Sequence, residues 1–527
     1  MTVAAAPAVA PDRAITRGRD LTKGFDDACD VVVIGSGAGG AVVAAICAEA
    51  GLDVVLLEEG GHYTPQEYGK FRPSESLRRL AREAGFLAVA GVGDTPLISL
   101  LQGKCVGGSS VMTGGVCFRV PEPILHHWAR DLGLPDLSPD AMAPFFEEVE
   151  QRIHVEEVPV EARSRSTELF VEGADKLGIP MYSLKRNTRG CEGRARCNFG
   201  CPVGAKLSVD LSYLPQAFAK GARLYADCRV DRILTRGTRA VGVGGVVIGG
   251  REGVPTHRFH VHAKVVVVAA GTVHTPQVLG AAGLGRSGAL GRHITLHPSF
   301  RVSAIFDEEV RGWDGAMQSV YSDHFMDDGI TLVGIYGVLN VLAAAFPGVG
   351  KEHLDYAKKM RNAAIFGGMI HDHGGGSVLP HVGREPLLTY KMDPEDKRRL
   401  VKGLGIVSEI AFAAGAKEVM LPFFGSHAFR RPEDVRAALA NPPTAARFEC
   451  VAFHPLGSSR MSCNERLGVV RSSGESWELD GLYVADGSVL PTSIGVNSQL
   501  PIMAVATKIA RSIVDDWSRT RRASLSA

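Results

Sequence analysis

Between Asp30 and Gly60 the chain changes texture three times. Val31–Ile34 is an unbroken run of β-favouring apolar residues, the pattern of a parallel strand covered on both faces. A glycine turn, Gly35-Ser-Gly-Ala-Gly-Gly40, follows at once. An Ala-rich stretch then predicts a helix from about Ala41 to Ala50, with Gly51 placed to stop it. Val54–Leu57 predicts a second strand, ending in Glu58-Glu59-Gly60. Val265–Ala270 is another strand-sized apolar run. Leu482–Ala485 reads as a short strand with Asp486-Gly487 at its C-terminal end, and Ile502–Trp517 as a closing helix. The middle of the chain differs. Pro139–Glu150 is helical and acidic, Ile330–Leu342 and Pro380–Met392 read as strands of an antiparallel sheet, and Leu400–Ala414 is an amphipathic helix stopped by Gly415.

The expected fold is therefore α/β: a Rossmann-type nucleotide-binding domain with an interleaved α+β domain built on an antiparallel sheet. A chain of 527 residues exceeds the about 250–300 residues at which single cores stop growing, so two interlocked domains are expected. Residues 1–24 read as a flexible leader, since their short Ala/Val stretch lacks the basic start of a signal peptide. Residues 25–120, 202–300 and 445–527 are assigned to the cofactor domain, and 121–201 and 301–444 to the substrate domain. Lys and Arg number 58 against 57 Asp and Glu, a balance that argues against a nucleic-acid partner. No apolar run approaches the about 20 residues of a membrane span. Ten cysteines in so long a chain are too sparse for a disulfide scaffold, so a reducing cytoplasm is the expected location.

The glycine turn is where chemistry first appears. Gly35 permits the tight turn, Gly37 lets backbone N–H groups approach a pyrophosphate, and Gly40 lets helix and strand pack closely. The helix N-terminus offers partial positive charge to the phosphates. Glu58, at the end of the second strand, can accept hydrogen bonds from ribose hydroxyls. This fingerprint alone does not separate NAD from FAD.

Further motifs make the choice. They are Gly103-Lys-Cys-Val-Gly-Gly-Ser-Ser-Val-Met-Thr-Gly114 followed by Trp128, Val265–Pro276, Gly291-Arg-His-Ile-Thr-Leu-His-Pro298, Phe453-His-Pro-Leu-Gly-Ser-Ser-Arg-Met461, and Gly481–Pro501. In this order, over nearly the whole length, the sequence resembles the glucose–methanol–choline (GMC) oxidoreductases, closest in character to the cholesterol-oxidase and long-chain-alcohol branches. The resemblance implies non-covalent FAD and oxidation of an alcohol, primary or secondary, to an aldehyde or ketone by hydride transfer to flavin N5. It implies His454 and Asn497 as the active-site pair. It also implies cofactor contacts at Gly107, Gly108, Ser109 and Ser110, at Val230 beside the adenine, at Ala270 and Gly271, and at Asp486 and Gly487. There are two departures: the family usually has Asn where Thr113 stands, and Asn497-Ser-Gln-Leu-Pro501 replaces its Asn-Pro-x-Leu-Thr.

The chemistry suits these residues. Alcohol oxidation removes a proton from oxygen and a hydride from carbon. An imidazole, with an ordinary pKa of about 6.5, can take the proton, while Asn can orient the hydroxyl without ionising. His297 reads as structural, and His371 and His373 as polar loop residues or as part of the substrate side. The uncharged segment Thr331–Phe346 suits either a wall for an apolar alcohol or plain core. Oxygen, a quinone and a protein partner are all compatible with these residues as electron acceptor. Cys191, Cys197 and Cys201 carry two readings. Their C-x5-C-x3-C spacing favours structural thiols or a disulfide; the alternative is an iron–sulfur cluster. Two other functions fit the same resemblance, a lyase of the hydroxynitrile lyase type and a non-catalytic flavin-binding protein.

Overall fold

The computed structural model describes residues 14–249, 253–336, 343, 346, 348–379 and 385–525. Its first sheet is centred on two long strands, Phe25–Ile34 and His257–Val268, which run parallel with Val31 beside Val265. Val54–Leu57, Arg223–Ala226 and Ile15–Arg17 extend it in parallel on one side. On the other, His257–Val268 pairs antiparallel with Arg239–Val247 through its first half and parallel with Leu482–Val484 through its second. Phe25–Ile34 shows how sequence texture sets burial. Its first half alternates exposure and carries Asp26, Asp27 and Asp30, while Val31–Ile34 is wholly buried. Each such buried side chain is worth about 1.5–3 kcal/mol.

The helix Gly40–Glu49 is apolar all round, as a helix covered on every side must be. It is packed beside the helix Tyr213–Ala219 and the closing helix Gln499–Leu525. Gly51, at φ +83°, ends it where expected. Among the described residues no helix is long and apolar enough to cross a membrane.

The second sheet is larger. Its centre is antiparallel: Ser299–Ile305 lies against Ala363–Ile370, then Ile330–Val333, Val320–Ser322 and Tyr182–Ser183. On the other flank come Cys450–Ala452, Ile98–Leu100, Leu87–Gly91, Leu387–Tyr390 and Gly376–Leu379. The expected strands in 330–342 and 380–392 are thus present as Ile330–Val333 and Leu387–Tyr390. Residues 337–342 and 380–384 lie outside the described residues. The amphipathic helix spans Pro394–Ala413 and covers the sheet with Leu400, Leu404, Val407 and Ile410.

Three boundaries differ from expectation. The leader ends earlier than residue 24, because Ile15–Arg17 pairs with Arg223–Ala226, which satisfies its backbone groups; residues 1–13 lie outside the described residues. The stretch 121–201 does not belong to the substrate side alone. Its helices Glu122–Arg130 and Pro139–Arg152 put Trp128, Met142, Phe146 and Val149 into the same core as the glycine-turn strands. Conversely, Leu87–Gly91, Ile98–Leu100 and Cys450–Ala452 join the second sheet although their segments were assigned to the cofactor side. A segment goes where its apolar face is buried, and sequence adjacency does not settle that.

Candidate active site

One cavity of about 1070 Å³ lies between the two sheets. Ligand sites usually span about 300–1,000 Å³, so there is room for a large cofactor and a substrate together. The first sheet supplies one wall from its strand ends. There the glycine turn is built as the fingerprint requires. Gly35 sits at φ +97°, and a Cβ on it would come within 2.3 Å of the Ala269 carbonyl oxygen. A Cβ on Gly37 would meet nothing nearer than the Gly108 Cα at 3.9 Å and would project into the cavity. Gly40 and Gly107 do not line the cavity. Gly40 lets the helix sit against the Gly35 carbonyl, and the Gly107 amide donates to Ser36 Oγ at 3.1 Å. Gly35, Gly37, Glu58, Gly108, Ser109, Ser110, Val230, Ala270, Gly271, Asp486 and Gly487 all line it.

Glu58 is buried at the end of its strand, and burial raises its carboxyl above the ordinary range. One carboxylate oxygen accepts from the Ser36 amide at 3.0 Å and hydroxyl at 2.7 Å, the other from the Gly60 amide at 2.8 Å. Ser36 therefore links Glu58 to the Gly107–Ser110 loop, a role not read from the sequence. Asp486 accepts from the Gly271 and Ser488 amides, each at 2.8 Å, and from the Thr275 hydroxyl. Lys206, five residues after Cys201, was also missed. It is fully buried, and its ammonium donates to the carbonyls of Ser110, Val111, Thr113 and Cys197 at 2.7–3.0 Å. Burial pulls its pKa down to about 8. One departure from the family pattern touches the segment that holds the other: the Thr113 hydroxyl donates to Gln499 Oε1 at 2.7 Å, and both residues line the cavity.

The second wall brings His454 and Asn497 together. His454 follows the strand Cys450–Ala452, and Asn497 precedes the closing helix. Asn497 Nδ2 lies 3.1 Å from His454 Nε2, with the amide as donor. Asn497 Oδ1 and His454 Nδ1 are buried without a hydrogen-bond partner among the described residues. Burial first, and then the neighbouring His297 ring, push the His454 imidazole down to about 3, so it is neutral near pH 7. Met317, Val333, Ile335, Ile365, Met369 and Phe453 supply apolar wall around the pair. His371 and His373 do not line the cavity: His373 is tied to Asp396 at 3.0 Å, and His371 is packed beside Gly495.

These features fit a flavin dinucleotide. A backbone cradle that a Cβ at Gly37 would fill lies on one wall, and orphaned polar atoms lie on the other. The cysteine cluster offers no comparable fit to a metal. Cys191, Cys197 and Cys201 are free thiols around a cavity of about 20 Å³, and Cys197 Sγ accepts from the buried Arg186 guanidinium at 3.0 Å. Among the described residues no group of three or more His, Cys, Asp or Glu side chains is arranged to hold a metal ion.

Comparison with known proteins agrees with this geometry. Family models described as GMC oxidoreductase match residues 29–299 and 379–506. An uncharacterised GMC-type oxidoreductase of Mycobacterium tuberculosis is 37% identical over 484 residues, 91% of this chain and 75% of that protein. The long-chain-alcohol oxidase FAO4B of Arabidopsis thaliana is 29% identical, over 92% of this chain and 67% of its own. In fold, the structure is similar to the pyridoxine 4-oxidase of Mesorbium loti, with a TM-score of 0.69 at 19% identity over 92% of this chain and 98% of that one. With family models matching more than half of the chain and a relative of this identity along most of its length, the chain belongs to the GMC oxidoreductase family.

Proposed function

We propose that this protein oxidises an alcohol, with His454 receiving the hydroxyl proton and Asn497 orienting the oxygen. FAD is the cofactor of the family, and when bound it supplies the acceptor for the carbinol hydride. The observation that carries the reading is the His454–Asn497 pair, 3.1 Å apart at the cavity surface: His454 Nε2 presents its lone pair toward the Asn497 amide, where a hydroxyl taking the amide's place can give up its proton, and Asn497 Oδ1 is unengaged among the described residues. An imidazole held neutral by its surroundings can accept a proton at neutral pH. The Asn amide can donate to or accept from the same hydroxyl without changing charge.

In this reading the Gly35–Gly40 turn and the helix behind it hold the pyrophosphate, Glu58 the ribose, and Val230 the adenine. Gly108–Ser110, Ala270, Gly271, Asp486 and Gly487 hold the flavin half, with Gly40 and Gly107 supporting from behind. The apolar wall around the pair supports an apolar alcohol as substrate, and the similarity to a long-chain-alcohol oxidase points the same way. Anaerobic titration of the purified flavoprotein with a panel of primary and secondary alcohols tests it. Bleaching of the flavin is the expected result. Cleavage of a cyanohydrin with no bleaching by any alcohol would replace oxidation with lyase chemistry.

A further inference from the structure

His297 does not line the cavity, yet it stands directly behind His454, edge-on, with ring centroids 5.9 Å apart. It is fully buried and its backbone is left-handed, at φ +53°. For a residue with a side chain this conformation is strained and persists only where the surroundings impose it. Asp372 imposes it. The amides of Leu296 and His297 both donate to its carboxylate, at 2.9 and 3.1 Å. The Ser493 hydroxyl and the Tyr390 hydroxyl donate to the same carboxylate at 2.7 Å each.

The ring contacts determine its tautomer. Nε2 faces the Ile494 amide at 3.0 Å, and a backbone N–H can only donate. Nε2 therefore presents a lone pair; Ser493 Oγ also lies 3.0 Å from it, with its hydrogen directed to Asp372. The single ring hydrogen is then on Nδ1, where it donates to the carbonyl oxygen of His454 at 3.0 Å. One neutral ring thus spans the backbone of His454 and the backbone of Ile494, three positions before Asn497. Protonating Nε2 would set an N–H against the Ile494 N–H.

We infer that His297, as the neutral Nδ1–H tautomer, is a positioning residue that sets the separation of His454 and Asn497, with Asp372 and Ser493 holding it in place. The inference rests on the assignment of His454 and Asn497 as the pair that handles the alcohol. Through its two ends, the ring ties the strand exit that presents His454 to the turn that presents Asn497. Losing it lets the two side chains drift from the arrangement in which one hydroxyl can engage both.

The experiment is a double-mutant cycle on the FAD-loaded protein, read as the rate of flavin reduction by 1-octanol in anaerobic stopped flow. His297→Ala should retain flavin and slow reduction by about 10- to 100-fold, the scale of a small misplacement of reacting groups. In a His454→Ala background the same change should cost nothing further, because His297 acts through His454. His297→Asn, which tolerates the left-handed backbone and keeps a donor and an acceptor, should recover part of the loss. If His297→Ala fails to hold flavin, His297→Asn and Ser493→Ala run the cycle in its place. A full additional loss in the His454→Ala background, or wild-type reduction in the His297 variants, would overturn the inference. A His454→Ala protein with normal reduction would instead overturn the active-site assignment beneath it.

A second readout needs no substrate. In protein labelled with ¹⁵N in histidine, the His297 ring should show a protonated Nδ1 and a bare Nε2. That pattern should hold between about pH 5 and 9, around the ordinary imidazole value. Burial lowers the ring's own pKa, in the same direction. The ionisable groups packed around it are Asp372, Tyr390, His371 and His454, with Asp396 and Arg399 beyond. A protonated Nε2 within that range would contradict the assignment.

Discussion

The glycine turn faces the cavity with backbone, whereas the wall carrying His454 and Asn497 faces it with side chains. The first is made from one contiguous strand–turn–helix, whose glycines fit against the backbone of the turn itself at Gly35 and of the neighbouring strand ends at Ala269 and Ala485. The second is assembled from a strand exit and a turn 43 positions apart, with a buried ring and carboxylate from two further segments hydrogen-bonded behind them. A backbone site tolerates almost no added atoms, but its closest contacts are to backbone carbonyls and so ask little of the side chains of distant neighbours. A side-chain site tolerates substitution of its atoms but depends on everything that fixes their spacing.

The comparison breaks most sharply at the glycines. Gly37→Val should abolish FAD retention while leaving the fold intact, since its side chain would enter only the cavity. Gly39→Val should fail to fold, because a Cβ there would lie 1.7 Å from the Ala485 carbonyl oxygen. Flavin absorbance and circular dichroism on the two purified variants check this. A yellow, folded Gly37→Val protein at full occupancy would refute the cradle.

On the other wall the loss should be of rate and not of cofactor. His454→Ala should keep FAD and slow anaerobic flavin reduction by about 10²–10⁴-fold, the usual contribution of a positioned acid–base group. Asn497→Ala should cost less, about 5- to 150-fold, the range for losing a buried hydrogen bond of about 1–3 kcal/mol. If Asn497→Ala proves the more damaging of the two, the proton-accepting role belongs elsewhere.

Two smaller effects sharpen the contrast. His454 is held at about 3, below its ordinary value, so its neutral form persists well below neutrality. The reduction rate should therefore stay flat from pH 8 down to about 5 and fall only as the pH approaches the lowered value. An acid limb centred near about 6.5 would mean that the ring titrates as if solvated. The cysteine loop should matter least. Cys191→Ser should leave flavin reduction unchanged, and anaerobically purified protein should contain no stoichiometric iron. Stoichiometric iron would restore the cluster reading.

Legibility followed the same division. Val31–Ile34, the glycine turn, the helix after it and Val54–Leu57 all stand where the texture of the sequence put them, because strand, turn and helix are decided by neighbours within a few residues. Gly37, Glu58, Val230 and Asp486, expected from motifs as cofactor contacts, do line one cavity. Ser36 and Lys206 were not expected, since a serine inside a fingerprint and a lysine after a proline loop give no local sign that a carboxylate or a set of carbonyls awaits them.

By itself, then, the sequence determined the nucleotide cradle, the α/β class and the identity of the two residues now found side by side. Only the tertiary structure decided which segments share each sheet, that Ile15–Arg17 is a strand, and that the His297 ring is hydrogen-bonded to the backbones of both His454 and Ile494. Those features depend on which buried surface covers a segment and which distant donor meets which acceptor. Hydrophobic burial is non-directional and hydrogen bonds are made wherever the chain comes to rest, so neither is encoded by the residues next in line.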